Sequence, residues 1–190
     1  ANNIVKLKVA CTDKMAYWYR YMNTCTILNA WDTTTHATNG ADKDGDMYFL
    51  TDNPVLVENT LNLPCIMCVQ RKAQKKIIEE SDLILANKKS FGDEIGKVTN
   101  RITSMFDVQS QFTPESKEYE TLSYRIKCGQ LIQQNAIDKT KGIIAKPMPK
   151  GWYNRDANKL QEDDPPEEIA RKEFYNTIVA DKKPYFMRYI

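Results

Sequence analysis

Histidine is almost absent from this chain, since His36 is the only one among 190 residues. A Ser-His-Asp triad or a Cys-His pair would have to use His36, and no activating motif surrounds it. A position near a bound nucleotide is one interpretation of His36, and a surface or core-edge histidine is the simpler one. Glycine is scarce as well, with seven residues and no glycine-rich phosphate loop. These shortages argue against a triad hydrolase and against an enzyme built on such a loop.

Long apolar stretches are missing too. No run of about 18 apolar residues occurs, so the sequence predicts no transmembrane helix. The first residues, Ala1 to Ile4, lack the basic and apolar regions of a signal peptide. We expect a cytoplasmic protein, or a nuclear or virion protein if the source is eukaryotic or viral. The absence of an initial Met suggests a trimmed chain or a piece of a larger one.

Charge is nearly balanced, with 27 Lys and Arg against 25 Asp and Glu and a net charge of +2. This balance does not by itself indicate a nucleic-acid-binding protein. The five cysteines are odd in number, which favours free thiols in a reducing compartment. Cys65 and Cys68 have the spacing of half a zinc site, but further ligands are lacking, and buried core cysteines are the simpler interpretation.

Apolar periodicity divides the chain into three parts. Alternating residues 4–11, the apolar run 47–50 and residues 64–69 predict strands. Helical spacing begins near residue 71 and is strongest over 93–106, where Ile95, Val98, Ile102, Met105 and Phe106 form one stripe. The predicted domains are 1–70, a catalytic-loop segment; 71–140, a helical region; and 141–190, a basic loop with a tail that packs on the helices.

A second long helix is predicted after the turn at residues 113–115. Thr113 is placed as an N-cap, Pro114 as a first-turn proline and Glu115 as a first-turn acid. The helix should run to about Asp138. Its apolar stripe is predicted to contain Tyr119, Leu122, Ile126, Gln130 or Leu131, and Gln134.

The acidic run at residues 39–46 is the feature that indicates chemistry. Asp42, Asp44 and Asp46 alternate with Lys43 and Gly45. Carboxylates this close repel one another, and a tight arrangement requires a cation. Carboxylate oxygens suit hard ions such as Mg²⁺ or Ca²⁺, and a glycine lets the backbone bend so that the acids can converge. A solvated acidic turn is the alternative interpretation.

An EF-hand calcium loop is the first metal-binding alternative. That loop requires glycine at its sixth position and glutamate at its twelfth, between two helices. Here those positions carry Met47 and Asn53, and an apolar run predicted as a strand follows the acids. The EF-hand interpretation is therefore disfavoured.

Three runs resemble the catalytic region of two-barrel RNA polymerases. Residues 39–46, with the sequence Asn-Gly-Ala-Asp-Lys-Asp-Gly-Asp, resemble the metal loop of the multisubunit enzymes and of the silencing-type RNA-dependent RNA polymerases. Residues 94–100 resemble the Leu-Gly-x-Ile-x-Asn run of that family, and residues 136–142 its Ala-Val-Asp-x-x-Lys-x-Gly run. The likeness is greatest to the silencing-type enzymes and to single-chain phage or viral relatives.

The resemblance implies an α+β fold, with part of a double-psi β-barrel in the strand-rich first third and a helical region after it. It implies Mg²⁺-dependent nucleotidyl transfer, with Asp42, Asp44 and Asp46 as catalytic metal ligands for two Mg²⁺ ions. Expected partners are a nucleic-acid template, the RNA product, nucleoside triphosphates and a second barrel from the rest of the enzyme. The isolated chain is then expected to be an inactive part of a larger polymerase.

Basic residues outside the acidic run are candidates for phosphate contacts. Lys43 could pair with a phosphate or reduce the local repulsion, and Lys141 and Lys146 lie in the basic segment 139–159. The alternative for this segment is a solvated loop whose Trp152 packs on the helices. Two hypotheses from other classes remain: a non-catalytic module that binds a divalent metal ion, and an interaction domain with an incidental acidic loop.

Overall fold

The computed structural model of the chain describes residues 5–38, 41, 43–61, 64, 69–90 and 92–189. The chain divides into two compact units, Ala1–Cys68 and Val69–Ile190. Helices account for about 52% of the structure. The α-helices of the described residues are α1 (Asp13–Tyr19), α2 (Thr34–Ala37), α3 (Pro54–Asn59), α4 (Glu80–Ser90), α5 (Glu94–Gln109), α6 (Lys117–Ile137) and α7 (Pro166–Thr177).

Local capping explains where the short helices of the first unit begin. The Thr12 hydroxyl accepts a hydrogen bond from the Met15 N–H at 3.2 Å, at the start of α1. The side-chain Oδ1 atom of Asn53 accepts one from the Val55 N–H at 3.0 Å, and Pro54 occupies the first turn of α3. No described residue of this unit is buried. Helices this short are only marginally stable without packing, so the capping hydrogen bonds are the interactions that stabilise them here.

The predicted α+β fold with part of a double-psi β-barrel is wrong, because the protein is mostly helical. Residues 5–11 and 47–50 have no regular secondary structure. The pairing among the described residues is a single antiparallel bridge between Lys72 and Ile143. An alternating sequence forms a strand only where a neighbouring strand satisfies its backbone N–H and C=O groups. The predicted strand at 64–69 lies mostly outside the described residues.

An antiparallel pair of long helices, α5 and α6, forms the centre of the second unit. Val98, Ile102 and Met105 of α5 pack with Leu122 and Ile126 of α6 in one buried cluster. Polar contacts fix the register at both ends of the pair. The Gln133 amide donates to the Thr99 hydroxyl at 2.7 Å, and the Gln109 amide donates to the Ser123 hydroxyl at 2.7 Å.

Later segments complete this core. Met148, Ile178 and Ala180 are buried in the same cluster as the α5–α6 pair. The Ala180 N–H donates to the Trp152 carbonyl at 3.0 Å, so the segment after α7 is tied to the loop that precedes it. Phe174 and Tyr175 of α7 pack against the cluster from the side. The second unit is therefore a helical pair enclosed by loop and C-terminal segments.

Helix predictions in this unit were accurate where the stripe was strong. The helix over 93–106 is confirmed as α5, and the helix that ends near Asp138 is confirmed as α6. The start of α6 was wrong by about a turn, since Ser116 is the N-cap and its hydroxyl accepts from the Tyr119 N–H at 3.2 Å. The helical spacing over 71–80 was wrong as well. That segment has no helix before Glu80, where α4 begins.

Candidate functional site

Residues 43–46 of the acidic run form an exposed turn in the first unit. Lys43 has a φ of 66° and Gly45 a φ of 123°. The Lys43 N–H donates a hydrogen bond to the Oδ2 atom of Asp46 at 2.8 Å. A left-handed conformation is uncommon for a residue with a side chain, and the Gly45 conformation favours glycine strongly. The alternation of acids with Lys43 and Gly45 therefore produces a tight turn closed by the last carboxylate.

The carboxylates of this turn face solvent. Asp44 and Asp46 are exposed, whereas Asp42 lies outside the described residues. Among the residues whose positions are described, no three His, Cys, Asp or Glu side chains are arranged to hold a metal ion. The convergence of all three aspartates therefore stays a prediction. The described part of the turn does present oxygen donors of the type that hard divalent cations prefer.

Apolar side chains near the turn are unusually exposed. Met47 is 98% exposed and Phe49 is 87% exposed, directly after the acids. Trp31, before them, is 97% exposed. Large apolar side chains of this exposure indicate a surface that contacts another molecule or another part of a larger protein.

The other two runs that resemble polymerases lie together at one end of the α5–α6 pair. Residues 94–100 form the first turns of α5, and residues 136–142 follow the last turn of α6. The Lys139 ammonium lies 2.9 Å from the Glu94 carboxylate, which joins the two runs directly. Two segments about 40 residues apart in sequence are thus brought to one place by the antiparallel packing.

Asp138 is buried at the end of the α5–α6 pair where these two runs meet, a role that was not predicted from the sequence. Its Oδ2 atom accepts a hydrogen bond from the Gln70 side-chain amide at 2.7 Å, and its Oδ1 atom lies 3.5 Å from the Lys141 ammonium. Gly142, with a φ of 78°, ends the run in the left-handed conformation. The Ala73 N–H then donates to the Gly142 carbonyl at 2.8 Å. The run therefore holds residues 70–73 against the end of α6.

The three predicted phosphate-binding lysines lie in different settings. Lys43 is exposed in the acidic turn of the first unit. Lys141 and Lys146 are both exposed in the second unit, and Lys141 lies near the Asp138 carboxylate. Lys146 forms no ion pair with any acidic side chain in the described part of the chain.

A stack of cations and aromatic rings was also missed by the sequence analysis. The Arg125 guanidinium lies 4.4 Å from the Tyr175 ring centre and 5.6 Å from that of Trp152. Burial lowers the pKa of Arg125, and its contact with Tyr175 opposes that shift. The Arg125 Nη1 atom donates to the Ile178 carbonyl at 3.3 Å, whereas Nε and Nη2 have no acceptor among the described residues. This stack joins α6, the 150–153 loop and α7.

A cavity of about 190 Å³ lies beside this stack. Its walls carry both aromatic and charged groups, and the two cations that line it are engaged by acids. Arg171 pairs with Glu168, and Lys172 with Asp164 at 2.6 Å. The lining residues are Pro149, Gly151, Trp152, Ala157, Asn158, Glu168, Arg171, Lys172 and Tyr175. Because these cations are already neutralised, the cavity has no evident site for an anion.

The remaining candidates from the sequence are His36 and the cysteines. His36 is exposed on α2. Cys11 and Cys25 are exposed free thiols, and Cys128 is a half-buried one. Cys65 and Cys68, the proposed half of a zinc site, lie outside the described residues.

Known proteins provide no relative for this chain: no protein family, no curated protein and no solved structure matches it. Among the helices of the described ranges, none is long and apolar enough to cross a membrane. The features that bear on function are the acidic turn of the first unit and, in the second unit, the two packed runs and the basic segment 139–159.

Proposed function

We propose that the chain is the catalytic metal-loop region of a template-directed RNA polymerase that performs Mg²⁺-dependent nucleotidyl transfer. The turn at residues 43–46 is the observation that carries this proposal. Lys43 and Gly45 have positive φ angles, the Lys43 N–H donates to the Asp46 carboxylate, and Asp44 and Asp46 are exposed. A turn of this kind gives a cation and a triphosphate access to carboxylate oxygens.

The arrangement of the other two runs adds support. Residues that resemble two separate polymerase runs are joined by the Lys139–Glu94 ion pair at one end of the α5–α6 pair. Lys43, Lys141 and Lys146 are the proposed contacts for nucleic-acid phosphates.

The reaction itself is the attack of the RNA 3′-hydroxyl oxygen on the α-phosphorus of a nucleoside triphosphate. The new P–O bond forms as the bond to the bridging oxygen breaks, pyrophosphate leaves, and the hydroxyl proton passes to solvent. Asp44 and Asp46, together with Asp42, are the proposed ligands of Mg²⁺. Two bound Mg²⁺ ions would supply the charge that lowers the pKa of the 3′-hydroxyl and stabilises pyrophosphate.

The decisive experiment is nucleotide incorporation on RNA and on DNA templates with Mg²⁺, using the longest natural chain that carries this sequence. Asp44→Asn should lower the rate by more than about 100-fold, because loss of groups that only support metal ligands already costs 10–100-fold. Asp52→Asn is the matched control, since Asp52 is an exposed carboxylate a few residues downstream. Absence of incorporation on every template would overturn the proposal.

An interaction domain is the second candidate, and the exposed apolar side chains of the first unit favour it. Val9 is 89% exposed, Trp31 97% and Met47 98%. A monomeric protein rarely leaves many large apolar side chains in water without a binding role. The two functions differ in their dependence on metal. Mg²⁺ should raise the melting temperature of the wild type but not of Asp44→Asn if the turn binds metal, and should affect neither if the turn is incidental.

A further inference from the structure

Residues 146–150, with the sequence Lys-Pro-Met-Pro-Lys, form a loop that we call the proline arch. Just before it, the Ile144 N–H donates to the Arg71 carbonyl at 2.8 Å, next to the Lys72–Ile143 bridge. Just after it, the Trp152 N–H donates to the Pro149 carbonyl at 3.1 Å. Both ends of the arch are therefore held by backbone hydrogen bonds.

The middle of the arch is anchored in the core. Met148 is 2% exposed and belongs to the buried cluster of the α5–α6 pair. Its Cε atom lies 3.5 Å from the position that a Cβ atom would take on Gly129. A Cβ atom on Gly129 would therefore be in ordinary contact with Met148, whereas the Ile102 Cγ1 atom would be only 2.8 Å away. An anchor in the middle of a five-residue loop removes most of its freedom.

The two prolines stiffen the backbone on each side of this anchor. Pro149 has φ −55° and ψ 129°, close to the polyproline II conformation. Pro147 and Pro149 are exposed, and so are Lys146 and Lys150. Because each proline fixes its own φ angle, Pro147 and Pro149 restrict the backbone between the two lysines. Groups held in advance lose little entropy when they bind.

The sequence segment that contains the arch is mostly basic. Residues 139–159 contain six Lys and Arg residues and one acid, Asp156. Asp156 is engaged by Lys159 at 2.8 Å. In the part of the chain that the structure describes, neither Lys146 nor Lys150 forms an ion pair. The arch therefore offers two cations without a neutralising partner from its own fold.

We propose that the proline arch contacts the phosphates of a single RNA strand, with one phosphate at Lys146 and another at Lys150. Lysine acts on phosphate as a point charge, and two separated point charges suit a chain of phosphates better than one compact anion. The choice of RNA as the strand rests on the proposed function. The inference adds Lys150, the stiffness of the prolines and the Met148 anchor to the earlier expectation for Lys146.

The test measures binding of a single-stranded RNA oligonucleotide to the 190-residue chain as a function of salt. Each phosphate contact contributes about 0.7 to the slope of log K against log salt for a single strand. Lys146→Ala with Lys150→Ala should therefore lower the slope by about 1.4 and weaken binding at low salt. Lys146→Arg with Lys150→Arg should keep the slope, because both charges remain.

The matched control is Lys88→Ala with Lys127→Ala. These two lysines are exposed on α4 and α6 and lie outside the arch. The control should leave the slope unchanged. An equal fall in slope for the control would mean diffuse attraction and would overturn the proposal. An unchanged slope for the alanine variant of the arch would overturn it as well.

Stiffness is tested separately from charge. Pro147→Gly with Pro149→Gly keeps both lysines, so binding should weaken while the slope stays the same. A variant that binds as tightly as the wild type would contradict the role of the prolines. Circular dichroism of each variant confirms that α5 and α6 remain folded.

Further measurements distinguish an RNA strand from a free nucleotide, and the arch proposal from the polymerase proposal. Equal affinity for a nucleoside triphosphate, with the same dependence on Lys146 and Lys150, would indicate a free-nucleotide site and overturn the RNA-strand assignment. If nucleotide incorporation fails but the arch variant lowers the slope, the arch proposal stands and the polymerase proposal falls. If nucleotide incorporation succeeds but the arch variant keeps the wild-type slope, only the arch proposal falls.

Discussion

The Arg125 guanidinium lies over the Tyr175 ring, 4.4 Å from the ring centre, and Arg125 is only 1% exposed. A ring face attracts a cation, and this attraction is strongest where water is excluded. Two nitrogen atoms of the same guanidinium, Nε and Nη2, have no acceptor among the described residues. Arg125 therefore combines a favourable stack with a cost of burial, and its net effect on stability can be measured.

Replacement of Arg125 separates these two effects. Arg125→Lys should lower the free energy of unfolding by about 2 kcal/mol, since a lysine keeps the buried charge but loses the planar stack. Arg125→Met should change it by about 1 kcal/mol or less, because an apolar side chain of similar size removes the cost of the buried charge. Urea unfolding followed by circular dichroism measures both. A much larger loss for Arg125→Met than for Arg125→Lys would show that the charge is compensated in the folded protein.

Asp164 should make stability depend on pH. A hydrogen bond from the Lys172 ammonium is the main cause that lowers the pKa of Asp164, and the Gln161 N–H adds to it. A carboxyl whose pKa is lower in the folded state stabilises the fold above its unfolded pKa, near 3.8. That contribution is lost as pH falls through the lowered value.

Thermal unfolding between pH 6 and pH 2 tests this expectation. The melting temperature of the wild type should fall towards low pH more steeply than that of Asp164→Asn, which lacks the titrating group. Asp163→Asn is the control, because Asp163 is a neighbouring exposed carboxylate, whereas the Lys172 ammonium pairs with Asp164. Parallel curves for the wild type and Asp164→Asn would contradict the assignment.

Gly151 should tolerate no side chain. A Cβ atom there would lie 2.5 Å from the Oδ1 atom of Asn158, whose amide nitrogen donates to the Gly151 carbonyl at 2.8 Å. Gly151→Ala should cost about 1–3 kcal/mol through overpacking. Gly96→Ala is the matched control, since nothing lies within 4 Å of its Cβ position on α5. It should stabilise the protein by about 0.5–1 kcal/mol. Chemical denaturation compares the two, and equal effects would refute the contact.

Asp138 should control the attachment of residues 70–73. Asp138→Ala removes the acceptor of the Gln70 amide, and loss of a hydrogen bond to a charged group costs about 1.5–3 kcal/mol. Amide hydrogen exchange should then become faster at Ala73 and Ile144, whose N–H groups bond across this junction. Exchange at the middle of α5 should not change. Protection at Ala73 equal to that of the wild type would show that the backbone bonds hold without Asp138.

Regular helices could be predicted because their signals are local. The stripe of α5 placed Val98, Ile102 and Met105 correctly in the core. The same stripe included Ile95 and Phe106, which are 45% and 49% exposed. The spacing predicts which residues share a face, but the extent of the partner decides which of them it covers.

The strand predictions failed for a related reason. Residues 5–11 and 47–50 have the alternation of strands, yet a strand depends on a second segment that satisfies its backbone groups. In the described residues such pairing is limited to the Lys72–Ile143 bridge. Alternation within a segment contains no information about whether that second segment is present.

By itself, the sequence determined the long helices, the location of the acidic turn and the basic segment that contains the proline arch. Each of these depends on residues close together in the chain: a helical period, a glycine among acids, or a run of lysines and prolines. Only the tertiary structure decided that Asp138 binds Gln70 and that Arg125 stacks on Tyr175. Those partners are 68 and 50 residues apart, and the packing of α6 against earlier and later segments is what brings them together.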